Sequence, residues 1–187
     1  MKTNIKWSIV AVILIVILLY LNFLPKPMNK IAVFETNQGT FKVEMYEDKA
    51  PMTTKNFIDL VEQKFYDGTR FHRVIDKFMI QGGDPLSKDI SKKDRWGTGG
   101  PGFRINDEFG QELSNIKGTI SMANSGPNTG GSQFFINVAT NTFLDGKHAV
   151  FGEVVEGYDV VEKISKMETN SQDQPTEDVI INKMTIE

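Results

Sequence analysis

Ser132, Asp145 and His148 are the residue types of a hydrolytic triad, but nothing around them builds one. A serine nucleophile of that kind needs a strand-to-helix elbow, and Asn128-Thr-Gly-Gly-Ser132 reads as a tight glycine loop rather than an elbow or an anion nest. The two histidines, His72 and His148, lie far apart with no Glu-x-x-His spacing, and the chain has no cysteine. That argues against a zinc site and excludes disulfides and a thiolate nucleophile. Gly97-Thr-Gly-Gly-Pro-Gly102 has the spacing of a dinucleotide fingerprint, yet no apolar strand precedes it and no helix starts after it. What remains is Arg73, set between His72 and an apolar run, together with the apolar side chains Phe78, Met79, Phe135 and Leu144. Taken singly, an arginine of this kind is a surface ion-pair partner and the others are core. Only their surroundings can say more.

The elements that must position them read as short strands with two helices. Ile31–Thr36 and Thr40–Tyr46 predict a hairpin turning at Asn37-Gln-Gly39, with Phe41, Val43 and Met45 alternating against Lys42 and Glu44. A helix is expected over Met52–Lys64, started by Pro51, with Phe57, Leu60, Val61 and Lys64 on one face and Tyr66-Asp-Gly68 ending it. Short apolar runs follow at Phe71–Ile75, Phe78–Gln81, Thr119–Ala123, Gln133–Val138 and Ala149–Val154. A second helix is expected over Tyr158–Lys166 and a last strand over Val179–Ile186. Ser87–Arg95 and Thr169–Glu177 read as surface loops. Many short strands and few helices suggest a closed or nearly closed β structure with helical plugs.

The N-terminus is of another character. Ile9–Leu21 carries no polar group except the Tyr20 hydroxyl, and Trp7–Leu24 is long enough as a helix to cross about 27 Å of hydrocarbon. The reading is a basic tail at 1–6, an uncleaved transmembrane signal anchor at 7–24, a linker at 25–30 and one domain at 31–187. The exit Leu21-Asn-Phe-Leu-Pro lacks the small residues of a cleavage site. Lys2 and Lys6 favour a cytoplasmic N-terminus and an extracytoplasmic domain on a single-pass cell-membrane protein, although Lys26 and Lys30 nearly balance them. Taking these four from the 21 basic residues leaves 17 against 24 acidic ones, a charge of about −7 beyond residue 30. Such a domain is a poor electrostatic match for nucleic acid.

Two ordered strings carry more information than any spacing. One is Tyr66-Asp-Gly-Thr-Arg-Phe-His-Arg-Val-Ile-Asp-Lys-Phe-Met-Ile-Gln-Gly-Gly-Asp84. The other is Ile120-Ser-Met-Ala-Asn-Ser-Gly-Pro-Asn-Thr-Gly-Gly-Ser-Gln-Phe-Phe-Ile-Asn137, followed by Phe143-Leu-Asp-Gly-Lys-His-Ala-Val-Phe-Gly152. Together they resemble the cyclophilin family of peptidyl-prolyl cis/trans isomerases, over about Ile31 to Ile186. The resemblance implies a mainly β fold, a closed eight-stranded antiparallel β-barrel capped by two α-helices. It also implies prolyl isomerase activity in a groove on the outer face, with no cofactor and no metal. By position in these strings, Arg73 would be catalytic. Phe78, Met79, Gln81, Ala123, Asn124, Phe135, Phe143, Leu144 and His148 would bind substrate. His72 would be a hydrogen-bonded structural residue beneath the groove. Many members of the family carry tryptophan where this chain has Phe143, which bears on cyclosporin-like inhibitors that use that indole. The Leu86–Trp96 loop is longer than in compact members.

The chemistry so implied follows from the peptide bond. Resonance raises a barrier of about 18–20 kcal/mol to rotation, and at X–Pro bonds the isomers lie within about 1 kcal/mol and interconvert over tens to hundreds of seconds. A rate gain of about 10⁵-fold requires about 7 kcal/mol of selective stabilisation of the twisted state. No bond breaks. A donor to the pyramidalised prolyl nitrogen and an apolar pocket for the ring are enough. Arg73, rigid and permanently charged, suits the first. Phe78, Met79, Phe135 and Leu144 suit the second, with Phe143 and His148 at the rim. Gln81 is expected to hold Arg73 or the substrate backbone, and the main chain at Asn124 to pair with the peptide as an added strand. The expected partners are proline-containing segments of client proteins and the lipid bilayer, the chain acting as a monomer. A pure binding module for such segments is the rival class, and completeness of the site favours the enzyme.

Overall fold

The alternation in the first hairpin survives in three dimensions. In the computed structural model, which describes residues 29–110 and 112–187, Phe41, Val43 and Met45 are fully buried while Lys42 and Glu44 stay partly exposed. They lie on β2 (Gly39–Met45), paired antiparallel with β1 (Ile31–Thr36). The other strands are β3 (Arg73–Ile75), β4 (Met79–Gly82), β5 (Thr119–Met122), β6 (Phe134–Asn137), β7 (Val150–Glu156) and β8 (Ile181–Ile186). All eight form one antiparallel sheet in the order β3-β4-β6-β5-β7-β2-β1-β8.

The sheet curls until its edges meet, but β3 and β8 do not form a ladder. The expected full closure is replaced by a short seam before β3, where Arg70 bridges Ile180, Phe71 N–H donates to Val179 at 2.9 Å and Ile181 N–H donates to Thr69 at 2.8 Å. Beyond the seam, the Val74 N–H is taken by the carbonyl of Asp173, in a loop, at 2.8 Å. The edge strand that carries Arg73 is therefore completed by a loop rather than by a strand.

Inside the curl, Phe34, Phe41, Phe57, Tyr66, Phe71, Phe134 and Phe151 pack ring on ring, with neighbouring centroids 4.5 to 6.4 Å apart. Burial of seven aromatic rings supplies much of the driving force for folding. Helix α1 (Pro51–Glu62) lays Phe57, Leu60 and Val61 on this core. Pro51 fits its first turn, and Glu108, distant in sequence, accepts from the Met52 and Thr53 N–H groups at 3.3 and 2.9 Å. Lys64 does not share the apolar face. It is exposed, beyond the helix end, at φ 57°. Helix α2 (Tyr158–Ser165) buries Val161 and Ile164 fully and Val160 in part.

The stretch expected as a loop at Ser87–Arg95 is two 3-10 segments, Pro85–Lys88 and Ile90–Arg95. Asp84 begins the first by accepting from Leu86 N–H at 2.7 Å, and Asp89 begins the second by accepting from Ser91 N–H at 3.0 Å. Among the described residues no helix is long and apolar enough to cross a membrane. The tail at 1–6, the Trp7–Leu24 anchor and most of the 25–30 linker lie outside the described residues.

Candidate active site

Strand register alone gathers four of the predicted residues. Arg73 on β3 faces Gln81 on β4, Gln81 faces Phe135 on β6, and Phe135 faces Ser121 on β5. Paired residues share a face of a sheet, so these four form one row. The next row contains Ile75, Met79 and Asn137. Their chain neighbours Val74, Ile80, Phe134, Ile136 and Ile120 point into the aromatic core, so both rows lie on the outer face. Met79 and Phe135 are only 2% and 4% exposed, yet neither belongs to the core cluster. Apolar side chains buried on the outside of a barrel are the floor of something else.

The turn Thr142–Leu144 covers that floor from one side. Phe143, 61% exposed, stacks on half-buried Phe78 with ring centroids 5.9 Å apart. His148 N–H bonds back to the Leu144 carbonyl at 3.1 Å, and its ring stands edge-on to Phe135 at 5.3 Å. The His148 Nδ1 lies 3.1 Å from the Met122 carbonyl, which can only accept, so the proton sits on Nδ1. Phe78, Met79, Phe135, Phe143 and His148 thus come together as an apolar slot, with the main chain of Leu144 at its rim and Arg73 and Gln81 along its edge.

Ala123, Asn124 and Gln81 lead away from the slot into a cavity of about 700 Å³ lined also by Gly97–Arg104, Gln133 and Ser132. The Gln81 amide donates to Gln133 Oε1 at 2.9 Å, and the Gln133 amide reaches the carbonyls of Gly97 and Gly99 at 2.9 and 2.8 Å. The glycine-rich turn Gly97–Gly102 is therefore a cavity wall, two of whose carbonyls are held by a glutamine. The Asn124 side chain bonds to the Lys147 carbonyl at 2.7 Å and to Gly126 N–H at 3.2 Å. Its own main-chain N–H and C=O make no hydrogen bond among the described residues. That leaves an open edge for an extended peptide.

Arg73 is not held by Gln81, whose amide is committed to Gln133. Its Nε instead donates to Asp173 Oδ2 at 3.4 Å, both side chains being 43% exposed. Arg70, the other arginine of the same string, is locked elsewhere. Its Nε donates to Asp178 at 2.8 Å, it bonds the Ser87 carbonyl, and it lies over the Trp96 ring. Sequence reasoning passed over both Asp173 and Gln133. Gln133 stood inside a quoted string, one residue from Phe134, whereas Asp173 lies 100 residues from Arg73 in a polar loop that offers no local signal.

His72 is buried beneath Gly97, at 4% exposure, and neither ring nitrogen makes a well-formed hydrogen bond, the Arg70 main chain interacting with the ring only weakly, so the expected hydrogen-bonded residue is at best poorly bonded. Burial pushes its pKa down to about 4, against an opposing pull from the Asp84 carboxylate. Asp84 itself is buried and accepts from the N–H groups of Leu86, Gly97 and Gly99. The triad residues are separately engaged. Ser132 Oγ donates to the Gly83 carbonyl at 2.8 Å, Asp145 accepts from Ser114 and Asn115, and His148 is bonded to Met122. The N–H groups of the Asn128 loop do not form an open nest either, because Asn128 N–H donates to Asp107 at 2.8 Å.

The family model for the cyclophilin type peptidyl-prolyl cis-trans isomerase matches residues 31–186. Peptidyl-prolyl cis-trans isomerase-like 1 of Mus musculus is 45% identical over 150 residues, 80% of this chain and 87% of the relative. The protein of that name from Neurospora crassa is 44% identical over 153 residues, covering 81% and 91%. A crystal structure of a cyclophilin type peptidyl-prolyl cis-trans isomerase of Cryptosporidium parvum superposes with a TM-score of 0.78 at 32% identity, covering 85% of this chain and 98% of that one. A second structure of it, in the presence of the dipeptide Ala-Pro, has a TM-score of 0.77. By sequence, by fold and by the outer-face slot, the chain belongs to the cyclophilin-type peptidyl-prolyl cis/trans isomerases.

Proposed function

We propose that the chain is a foldase that accelerates cis/trans isomerisation of X–Pro bonds in protein clients, with Arg73 stabilising the twisted imide and the apolar slot gripping the proline ring. One observation carries this reading: a permanently charged donor stands in strand register with Gln81 and Phe135, along the edge of an apolar floor outside the core. Planar cis and trans imides keep the prolyl nitrogen lone pair in resonance. The half-turned imide returns it to nitrogen, where a guanidinium N–H can bond it. Such a bond favours the transition state over both ground states and so lowers the barrier rather than merely binding substrate.

The slot supplies the other half. Phe78, Met79, Phe135 and Leu144 hold the ring by apolar contact, Phe143 and His148 close the rim, and the carbonyl before the proline is left to rotate. The main chain of Asn124 pairs with the extended peptide, and Ala123 lets it approach closely. Gln81, bonded to Gln133, orients the substrate backbone rather than Arg73.

Trp7–Leu24 serves as a single-pass anchor in the cell membrane, with the domain on the extracytoplasmic side, where the domain acts as a monomer.

The test of the activity is exchange in a proline tetrapeptide followed by NMR with the full-length chain in detergent. Catalytic amounts should broaden the separate cis and trans signals into exchange. Peptide binding without exchange broadening would replace the enzyme by a binding module. Protease accessibility on intact cells tests the topology: cleavage of the domain supports export, and protection until lysis places it inside.

A further inference from the structure

Behind the slot lies a buried polar chain that the proposed chemistry does not use. Asn115, Asn137 and Asn141 are 1%, 0% and 4% exposed, among the buried hydroxyls of Thr119 and Ser121. Asn141 spends both amide hydrogens, one on the Phe78 carbonyl at 2.9 Å and one on Asn137 Oδ1 at 2.8 Å. Asn137 passes the chain to Thr119 Oγ1 at 2.9 Å and toward Asn115 Oδ1 at 3.3 Å. Asn115 accepts from Ser121 at 2.8 Å and donates to Asp145 Oδ1 at 2.9 Å, and its main-chain carbonyl takes the Asn141 N–H at 2.7 Å. An amide both donates and accepts, as a hydroxyl does, so the asparagines and Ser121 relay bonds along the chain.

The placement of the two ends is what matters. Asn141 and Asp145 bracket the turn Thr142–Leu144, and Asn141 also holds the carbonyl of Phe78. Phe78 and Phe143 are the stacked pair on the rim of the slot. One network therefore pins both stacking partners from beneath, while Asn137 sits in register with Met79 on the floor. A fully satisfied buried network is rigid, and losing one member strands its partners.

On the reading of the slot as the proline site, we infer that Asn141 is a positioning residue. Its amide sets the separation of the Phe78 and Phe143 walls and so the fit of the proline ring. It touches no reacting atom. Its effect falls on substrate binding, equally in ground and transition states, and so on KM rather than kcat.

The test uses the full-length chain in detergent and a proline tetrapeptide, with Asn141→Ala and, in case that variant folds poorly, Asn141→Ser, which keeps one donor. The expected result for Asn141→Ala is a KM and a peptide Kd raised about tenfold with kcat within twofold, and loss of the Phe78–Phe143 ring cross-peaks in NMR. Asn141→Ser should fall between it and the native chain. Val61→Ala, a change in the core cluster on helix α1, should lower Tm without moving KM. KM and Kd within twofold of native, with the ring cross-peaks intact, overturn the inference. Native protein that binds the peptide but does not speed its exchange overturns the isomerase reading instead, and Kd and the ring signals then still decide the role of Asn141.

Discussion

Asp173 holds Arg73 from behind and fixes its strand at the same time. Its carboxylate accepts from the arginine Nε at 3.4 Å, and its carbonyl accepts from the N–H of Val74, the next residue, at 2.8 Å. Asp173 itself adopts a left-handed backbone, φ 61°, a conformation aspartate tolerates better than most residues. With Nε turned toward the loop, the two Nη groups make no hydrogen bond among the described residues. A donor fork held by its stem and free at its tip is what a transient bond to a prolyl nitrogen requires.

Removing that fork should cost most of the activity. Deleting one preorganised donor to a transition state typically lowers rate about 10²–10³-fold. We expect Arg73→Ala to lose kcat/KM in that range with peptide binding nearly intact. Arg73→Lys should be only partly active, because an ammonium cannot reproduce the fork. Progress curves on a proline tetrapeptide measure both, and an Arg73→Ala variant at half the native rate would remove Arg73 from its role.

Asp173 should matter less. The pair is 43% exposed on both sides, and exposed ion pairs are worth about 0.2–1 kcal/mol. Asp173→Ala is expected to lower kcat about two- to fivefold with KM unchanged. Asp173→Asn, which keeps an acceptor oxygen at the same place, should recover most of that loss. Equal loss in both variants would mean that the charge, not the placement of Arg73, is what the carboxylate supplies.

Strand pairing was open to sequence reasoning because the alternation of Phe41, Val43 and Met45 follows directly from the pleat. The slot residues were accessible only through the two long strings. Taken alone, Met79 and Phe135 are indistinguishable from Ile80 and Phe134, since apolarity does not say on which side of a sheet a side chain lies. Register decides that, and register depends on partners far along the chain. For the same reason Gln81 was left between holding Arg73 and binding the substrate backbone, and its amide turns away from Arg73 to Gln133. The 3-10 segments at Pro85–Lys88 and Ile90–Arg95 carry no periodic apolar face, and so read as loop. His72 was expected to have a hydrogen-bond partner because buried imidazoles usually do, and it is at best poorly bonded, against the bare backbone of Gly97.

Gln133 offers a test of the wall between slot and cavity. Its side chain receives the Gln81 amide and ties down the Gly97 and Gly99 carbonyls. Gln133→Ala frees all three groups, and we expect the loss to fall on KM, about three- to tenfold, with little change in Tm because the partners can turn to water. A series of tetrapeptides differing before the proline would show the largest losses for residues that reach the cavity of about 700 Å³.

The rate should be insensitive to pH between about 6 and 8. Arginine does not titrate there, and burial has moved His72 down to about 4, below the window. We expect kcat/KM to vary less than twofold. A steep change near neutrality would mean that a titrating group, and not Arg73 alone, carries the rate.

Stability, by contrast, should depend on pH through His72. Its folded pKa of about 4 lies below the ordinary histidine value of 6.5 that applies once the chain unfolds. Between those values the unfolded state binds the extra proton, so stability rises with pH through this window and falls as the solution is acidified. Above about pH 6.5 both states hold a neutral imidazole and the effect vanishes. Fully developed below pH 4, a gap of this size corresponds to a loss of about 3 kcal/mol. The carboxylates also titrate in acid, so the comparison must be with a variant. His72→Gln removes the proton acceptor, at the cost of placing an amide against the same bare backbone, and lowers stability at every pH. The informative quantity is therefore the slope: urea unfolding at pH 7, 5.5 and 4.5 should show the native protein losing more stability than the variant over the same interval. Parallel slopes would mean that the imidazole gains its proton without opening the wall beneath Gly97, and that its burial has no part in the acid response of the fold.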